Sequence, residues 1–233
     1  DELLQTLTKR FPSIKSIYLN SNKEKTNVVL GKDCRLLWGQ TAIEDILCGI
    51  RVKLYPLSFY QVNHDQTEIL YRTAAEILQV TGQETVLDLY CGAGTIGLSM
   101  ANQIKHLIGV EIVPDAVQAA KENAALNGVT HARFFCADAE KAAEQLEKEG
   151  ICPDCIIIDP PRKGCGATLP ATINRMNPKK ILYISCDPAT LARDCAVFAS
   201  FGWQIHTAVP VDLFPGTAHV ETIVLLSNGD IDA

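Results

Sequence analysis

From Thr85 onward the chain repeats one unit: a short apolar run, a turn rich in glycine, acid or proline, then an amphipathic stretch. The runs are "TVLDLYC", "HLIGVEI", "ARFFCAD", "CIIIDPP" and "KILYISC". Each is apolar at nearly every position rather than at alternate ones, so each is expected to be buried on both faces. Strands buried on both faces and joined by helices form a parallel, doubly wound α/β sheet. The last two runs, "WQIHTAVPV" and "HVETIVLLS", have only a short loop between them and predict an antiparallel hairpin at one edge.

Upstream the pattern differs. "IKSIYLN", "TNVVLG", "CRLLWGQ" and "GIRVKLYP" read as short strands separated by Asn, Gly and Lys turns. Residues 1–58 are expected to form a small β-rich piece, part of a truncated domain, and 59–233 the α/β domain. A helix is expected over "DELLQTLTKRF", and another after Asn63, with Asp65 and Glu68 as its capping pair. The sequence reads as a fragment.

No apolar run approaches the ~20 residues that span a bilayer, and no signal-peptide pattern opens the chain. Nine scattered cysteines do not suggest a disulfide framework, which fits a reducing cytoplasm. Cys152 and Cys155 have metal or redox spacing, but no second pair accompanies them, so no metal is assigned. A formal charge of −6 argues against a whole-surface nucleic-acid clamp. Between residues 162 and 193, however, Arg162, Lys163, Arg175, Lys179, Lys180 and Arg193 face one acid, Asp187. This stretch is expected to form a phosphate-contacting rim.

"DLYCGAGTIGL" places Gly92, Gly94 and Gly97 in a G-x-G-x-x-G turn after a strand, with Glu111 19 residues beyond Gly92. The turn admits a ligand to the backbone, and the acid accepts ribose hydroxyl protons. The pattern suits a dinucleotide or S-adenosylmethionine. Asp88 before the turn favours the latter, because it would repel a pyrophosphate and attract an ammonium and a sulfonium.

"IIIDPPRKG" ends a strand at Asp159, held by a Pro-Pro turn where ligands collect in such sheets. An acid there suits the edge of a flat base. DNA amino-methyltransferases carry a similar turn followed by an aromatic residue, and here Arg162 follows instead. Cys186 ends the next strand in "YISCDPATLARD". Asp187 is a good helix N-cap and Pro188 a good first helical residue, so the thiol meets a helix N-terminus that favours thiolate while Asp187 opposes it.

Together "FYQVN", "DLYCGAGTIGL", "IIIDPPRKG", "YISCDPATLARD" and "HVETIVLL" resemble the RNA (uracil-C5)-methyltransferases that make 5-methyluridine. The resemblance is dense over residues 55–228. It implies a Rossmann-like class I methyltransferase fold, S-adenosylmethionine as cofactor, and RNA as partner, ribosomal rather than transfer RNA, with the protein a monomer. It implies Cys186 as nucleophile and Glu221 as general base, the latter read as an acid in mid-strand with His219 as second candidate. Gln61, Asp88, Tyr90, Gly92, Gly94, Glu111, Asp138 and Asp159 are the implied cofactor-binding residues. Phe59 and Tyr60 suit either a core or a stacking surface. The rival readings are nucleobase amino-methylation and a non-catalytic RNA-binding module.

Overall fold

A computed structural model describes residues 2–23, 29–31 and 33–229. The elements are α1 Glu2–Arg10, β1 Ser16–Ser21, β2 Asp33–Gly39, β3 Ile43–Leu47, β4 Ile50–Leu54, α2 His64–Leu78, β5 Thr85–Leu89, α3 Thr95–Ser99, β6 His106–Glu111, α4 Pro114–Leu126, β7 Ala132–Cys136, α5 Ala139–Lys148, β8 Cys155–Ile158, α6 Leu169–Met176, β9 Lys180–Ser185, α7 Pro188–Ser200, β10 Gln204–Val211 and β11 Glu221–Ser227.

The apolar runs build a seven-stranded sheet in the order β10-β11-β9-β8-β5-β6-β7. The pairs β8–β9, β5–β8, β5–β6 and β6–β7 are parallel. The expected hairpin forms, and its second strand also inserts beside β9, so β11 is antiparallel to both neighbours. Period two then sorts the side chains into two layers. Val86, Ile157, Leu182, Ile184, Ile223 and Leu225 pack under α2 and α4. Leu87, Leu89, Ile156, Ile158, Tyr183 and Leu226 pack under α5, α6 and α7.

The N-terminal reading is partly corrected. β1 pairs with β2 and β3 with β4, as two separate two-stranded sheets. β3 escaped the sequence reading because "IEDIL" has two adjacent acids that mask its alternation. Of "TNVVLG", residues 26–28 lie outside the described residues and 29–31 are not a strand. Asn63, not Asp65, caps α2, accepting from the Gln66 N–H. Leu47, Ile50 and Val52 share the core under α2 and α4, so a division at residue 58 cuts through a common apolar cluster. Asn127 donates to the Arg51 carbonyl and accepts from its N–H, as a neighbouring strand would. Asn123 accepts from the Lys53 N–H and donates to the Ala93 carbonyl, joining this hairpin to the glycine turn. Among the described residues no helix is long and apolar enough to cross a membrane.

Candidate active site

Alternation beyond the strand ends decides which polar side chains meet. Ile157 on β8, Ile184 on β9 and Ile223 on β11 face the α2 layer. Two residues further along β8 and β9, and two back along β11, come Asp159, Cys186 and Glu221. All three therefore turn to the same face at the same end of the sheet.

The antiparallel register makes the meeting closer. Thr222 is opposite Ser185, so the next positions in that register are Glu221 and Cys186. Glu221 opens β11 instead of lying in mid-strand, and at 5% exposure it is sealed from solvent. His219 lies before the strand, exposed, with its ring edge-on to Phe214 at 6.3 Å. His219 thus lies outside the strand whose alternation was expected to pair it with Glu221.

The electrostatics tie these groups into one site. Burial raises the Glu221 pKa, and the Arg162 charge pulls it back. Burial raises the Cys186 thiol too, Glu221 and Asp159 add to this, and Arg162 again opposes. Burial, then Glu221 and Asp88, push Asp159 up to about 8. Asp88 is pushed up to about 7 by burial, opposed by the Gly97 N–H and reinforced by Glu111. The couplings run Glu111, Asp88, Asp159, Glu221 along the carboxyl ends of the strands, and the cation acting on the last of them is Arg162.

The glycine turn lies midway along this line. Tyr90, Gly92 and Gly94 all take left-handed φ, at 65°, 54° and 78°. For Tyr90 this costs of order 1 kcal/mol or more, strain of the kind that collects at ligand sites. It also carries the ring out of the α2 phase, where alternation would put it, to pack with the α5–α7 layer. At Gly97 a Cβ would lie 2.6 Å from Leu107 Cδ1 and 3.0 Å from Asp88 Oδ2.

Asp88 is only 1% exposed and lies beneath the turn, accepting from the Gly97 N–H at 3.2 Å through Oδ2. Its Oδ1 has no hydrogen-bond partner. Glu111 accepts from the Gly92 N–H at 3.1 Å and the Val113 N–H at 2.8 Å, which orients it at the end of β6. Asp138 caps α5 through the Lys141 N–H.

Gln61 is half-buried in the segment entering α2, and Asn63 ties that segment to the β10–β11 loop by donating to the Leu213 carbonyl at 3.1 Å. Tyr60 is anchored to Asp45 at 2.9 Å, whereas Phe59 is 79% exposed. The open choice between core and surface thus divides between the two aromatics.

The expected cap at Asp187 is present, accepting from the Thr190 N–H at 2.8 Å with Pro188 next in the helix. The expected basic rim is present only in part, since Arg193 bonds the Lys163 carbonyl beside Arg162 while the other three cations lie elsewhere. Lys180 begins β9 and donates to the Leu78 carbonyl. Five rises of about 3.3 Å along β9 separate it from the strand end that leads to Cys186. Lys179 pairs with Asp154 at 3.0 Å, and Arg175 pairs with Glu147 at 2.7 Å. Arg162 and Lys163 are exposed in the loop after Pro161. Arg162 was legible only as one of several surface cations. The half-buried Cys165 and buried Asp194 beneath it went unread, although an acid one turn after Thr190 on the helix was the available signal.

Residues 49–229 match the family described as tRNA (Uracil-5-)-methyltransferase. An uncharacterised RNA methyltransferase of Halalkalibacterium halodurans is 46% identical over 224 residues, covering 96% of this chain and 49% of its own length. Another, from Listeria innocua, is 46% identical over 226 residues, with coverages of 97% and 50%. The chain spans about half the length of the curated relatives it matches. Among solved structures, the Pyrococcus abyssi tRNA (uracil-54, C5)-methyltransferase in complex with S-adenosyl-L-homocysteine has a TM-score of 0.79 at 31% identity, covering 94% of this chain and 52% of that one. An S-adenosylmethionine-dependent methyltransferase from Agrobacterium tumefaciens, at 15% identity and a TM-score of 0.64, shares the fold over 95% of this chain and 79% of its own. The expected class I methyltransferase fold is therefore present.

Proposed function

The chain belongs to the tRNA (uracil-5-)-methyltransferase family, and from that premise we propose that it methylates C5 of a uridine in RNA, acting as a monomer with S-adenosylmethionine. The observation that carries this reading is that the Cys186 thiol and the Glu221 carboxyl act on one another just beyond the Thr222–Ser185 pair, with Asp159 beside them.

The residues fit a cationic donor. Asp88 and Asp159 are acids that burial keeps reluctant to ionise and that a cation would help to ionise, and Asp88 Oδ1 is buried without a partner beneath the turn. Gln61, Tyr90, Gly92, Gly94, Glu111, Asp138 and Asp159 would line the donor's pocket, and Asp88 would brace the turn and supply charge from below. When bound, the donor supplies the methyl group that C5 takes up.

The chain's own residues act on either side of that event. The Cys186 sulfur adds to C6 of uracil, and the ring becomes an enolate with carbanion character at C5. After C5 has gained the methyl, Glu221 removes the remaining C5 proton. Elimination then restores the C5–C6 double bond and releases the thiolate. A uridine stacked in folded RNA is out of reach, so the target lies in a loop or is flipped out at a cost of a few kcal/mol. Exposed Phe59, two residues before Gln61, is the aromatic available for stacking.

The favoured ribosomal substrate rests on no observation of this chain. The matching family and the Pyrococcus structure both name transfer RNA, so transfer RNA is the first substrate to assay and ribosomal RNA the second. RNA carrying 5-tritiated uridine is expected to release tritium to water in step with methyl incorporation. Methylation without tritium release would point to amino-methylation, and RNA binding with neither to a non-catalytic module.

Donor affinity is expected to depend on pH. The folded values of about 7 for Asp88 and about 8 for Asp159 lie above the usual 3.8. Their protonated forms favour folding at acid pH, and this contribution is lost as pH rises through the folded values. Thermal stability of the free protein should therefore fall from about pH 4 and level off above about pH 8. A cationic ligand prefers the ionised acids, so its affinity should rise over the same window, by up to about tenfold per pH unit for each carboxyl ionised. Calorimetric titration with S-adenosylmethionine and with S-adenosylhomocysteine checks this, and the gap between the two should widen with pH. A pH-independent gap would rule out charge complementarity to the sulfonium.

A further inference from the structure

The loop that carries Arg162 is fastened to α7 at successive peptide groups. Thr190 Oγ1 donates to the Arg162 carbonyl at 3.1 Å, and Arg193 Nη2 donates to the Lys163 carbonyl at 2.8 Å. The Cys165 N–H donates to Asp194 Oδ2 at 2.9 Å. Between these contacts sits buried Gly164, at φ +81°, where a Cβ would come within 2.3 Å of Asp194 Oδ2 and 2.4 Å of Thr190 Cγ2. Thr190, Arg193 and Asp194 stand at i, i+3 and i+4, one face of the helix.

Asp194 is the hub. It is 4% exposed and accepts from the Tyr183 hydroxyl at 2.7 Å through the oxygen that holds Cys165. Its other oxygen accepts from Arg193 Nε and Nη2 at 2.9 and 2.7 Å. An acid buried among four donors fixes each of them, and losing it leaves several groups unsatisfied.

We infer that Asp194 is a positioning residue, which with Thr190 and Arg193 latches residues 162–165 to α7 and so holds the Arg162 charge at the sheet end that carries Cys186 and Glu221. Among the described residues, the charged groups that act on Cys186 are Glu221 from β11 and Asp159 and Arg162 from the segment after β8. Asp187, at the start of α7, turns its carboxylate to the Thr190 N–H as the helix cap. Two of the acting groups are acids, so the thiol's ionisation depends on the Arg162 charge staying in place. The consequence for catalysis rests on the methyltransferase reading, whereas the effect on the thiol does not.

The test follows alkylation of Cys186 by iodoacetamide against pH, with the Cys186 peptide quantified by mass spectrometry and exposed Cys136 and Cys152 as internal references. Arg162→Ala should slow Cys186 alkylation at pH 7.5 about fivefold and move its profile to higher pH. Asp194→Asn should do the same although it removes a negative charge, which by itself would move the profile the other way. The double variant should be no slower than either single one. Thr190→Val, which deletes the hydroxyl's bonds to the Arg162 carbonyl and to Asp187 but leaves the Asp194 hub in place, should give a smaller shift in the same direction and decides the matter if Asp194→Asn does not fold. An unchanged profile in Thr190→Val, or a full-size Arg162→Ala effect within Asp194→Asn, would overturn the inference. Shifted profiles in a protein that forms no adduct with 5-fluorouridine RNA would leave the latch standing and remove the methyltransferase reading.

Discussion

Cys186→Ala is expected to abolish covalent capture of RNA containing 5-fluorouridine and to lower methyl transfer by about 10⁴-fold or more, the scale on which loss of a covalent nucleophile acts. Fluorine at C5 cannot leave as the proton does, so the thioether formed at C6 persists and is read as a slowly migrating band on a denaturing gel. The variant should keep its donor affinity, because Cys186 lies at the end of β9, two strands from the glycine turn after β5. It should also keep its fold, because the half-buried sulfur is not part of either apolar layer. Capture that survives in Cys186→Ala would transfer the role to another of the nine cysteines. Cys91 is the one nearest the turn in sequence, but burial drives its thiol far above the ordinary range.

Glu221→Gln is expected to separate the two halves of the reaction. The amide keeps the shape and hydrogen-bonding capacity of the acid but cannot take the C5 proton. One equivalent of methyl should be incorporated and then held, with ordinary RNA remaining covalently attached and turnover falling about 10²- to 10⁴-fold. Loss of methyl incorporation without accumulation of adduct would assign Glu221 to an earlier step. Stability gives an independent reading. Burial raises the Glu221 pKa, so its contribution to folding is present at low pH and lost as pH rises through the folded value. A neutral glutamine does not incur that loss, and the variant should melt at or above the parent temperature in alkaline buffer.

Much of this site was legible because it depends on local pattern. The apolar runs marked the strands, the glycine spacing marked the turn, and Asp187-Pro188 marked the helix start beside the thiol. What escaped depends on partners far away in the chain. Glu221 was expected in mid-strand because nothing in "HVETIVLL" says that pairing with β9 stops at Thr222. Arg175, Lys179 and Lys180 were expected near the thiol because they are close in sequence, but Glu147, Asp154 and the end of α2 claim them elsewhere. Tyr90 shows neither its left-handed backbone nor its change of layer, because non-glycine residues rarely take that conformation.

The placement of β11 also sets a timetable for a newborn chain. It slots between β9 and β10, both translated earlier. Until β11 is translated, β10 has no strand to pair with, because β11 is its one neighbour in the sheet. β9, which leads to Cys186, is complete 36 residues before Glu221 is added. Under the proposed mechanism, nascent chains, and chains clipped ahead of residue 221, would carry the thiol without the base that lets it go.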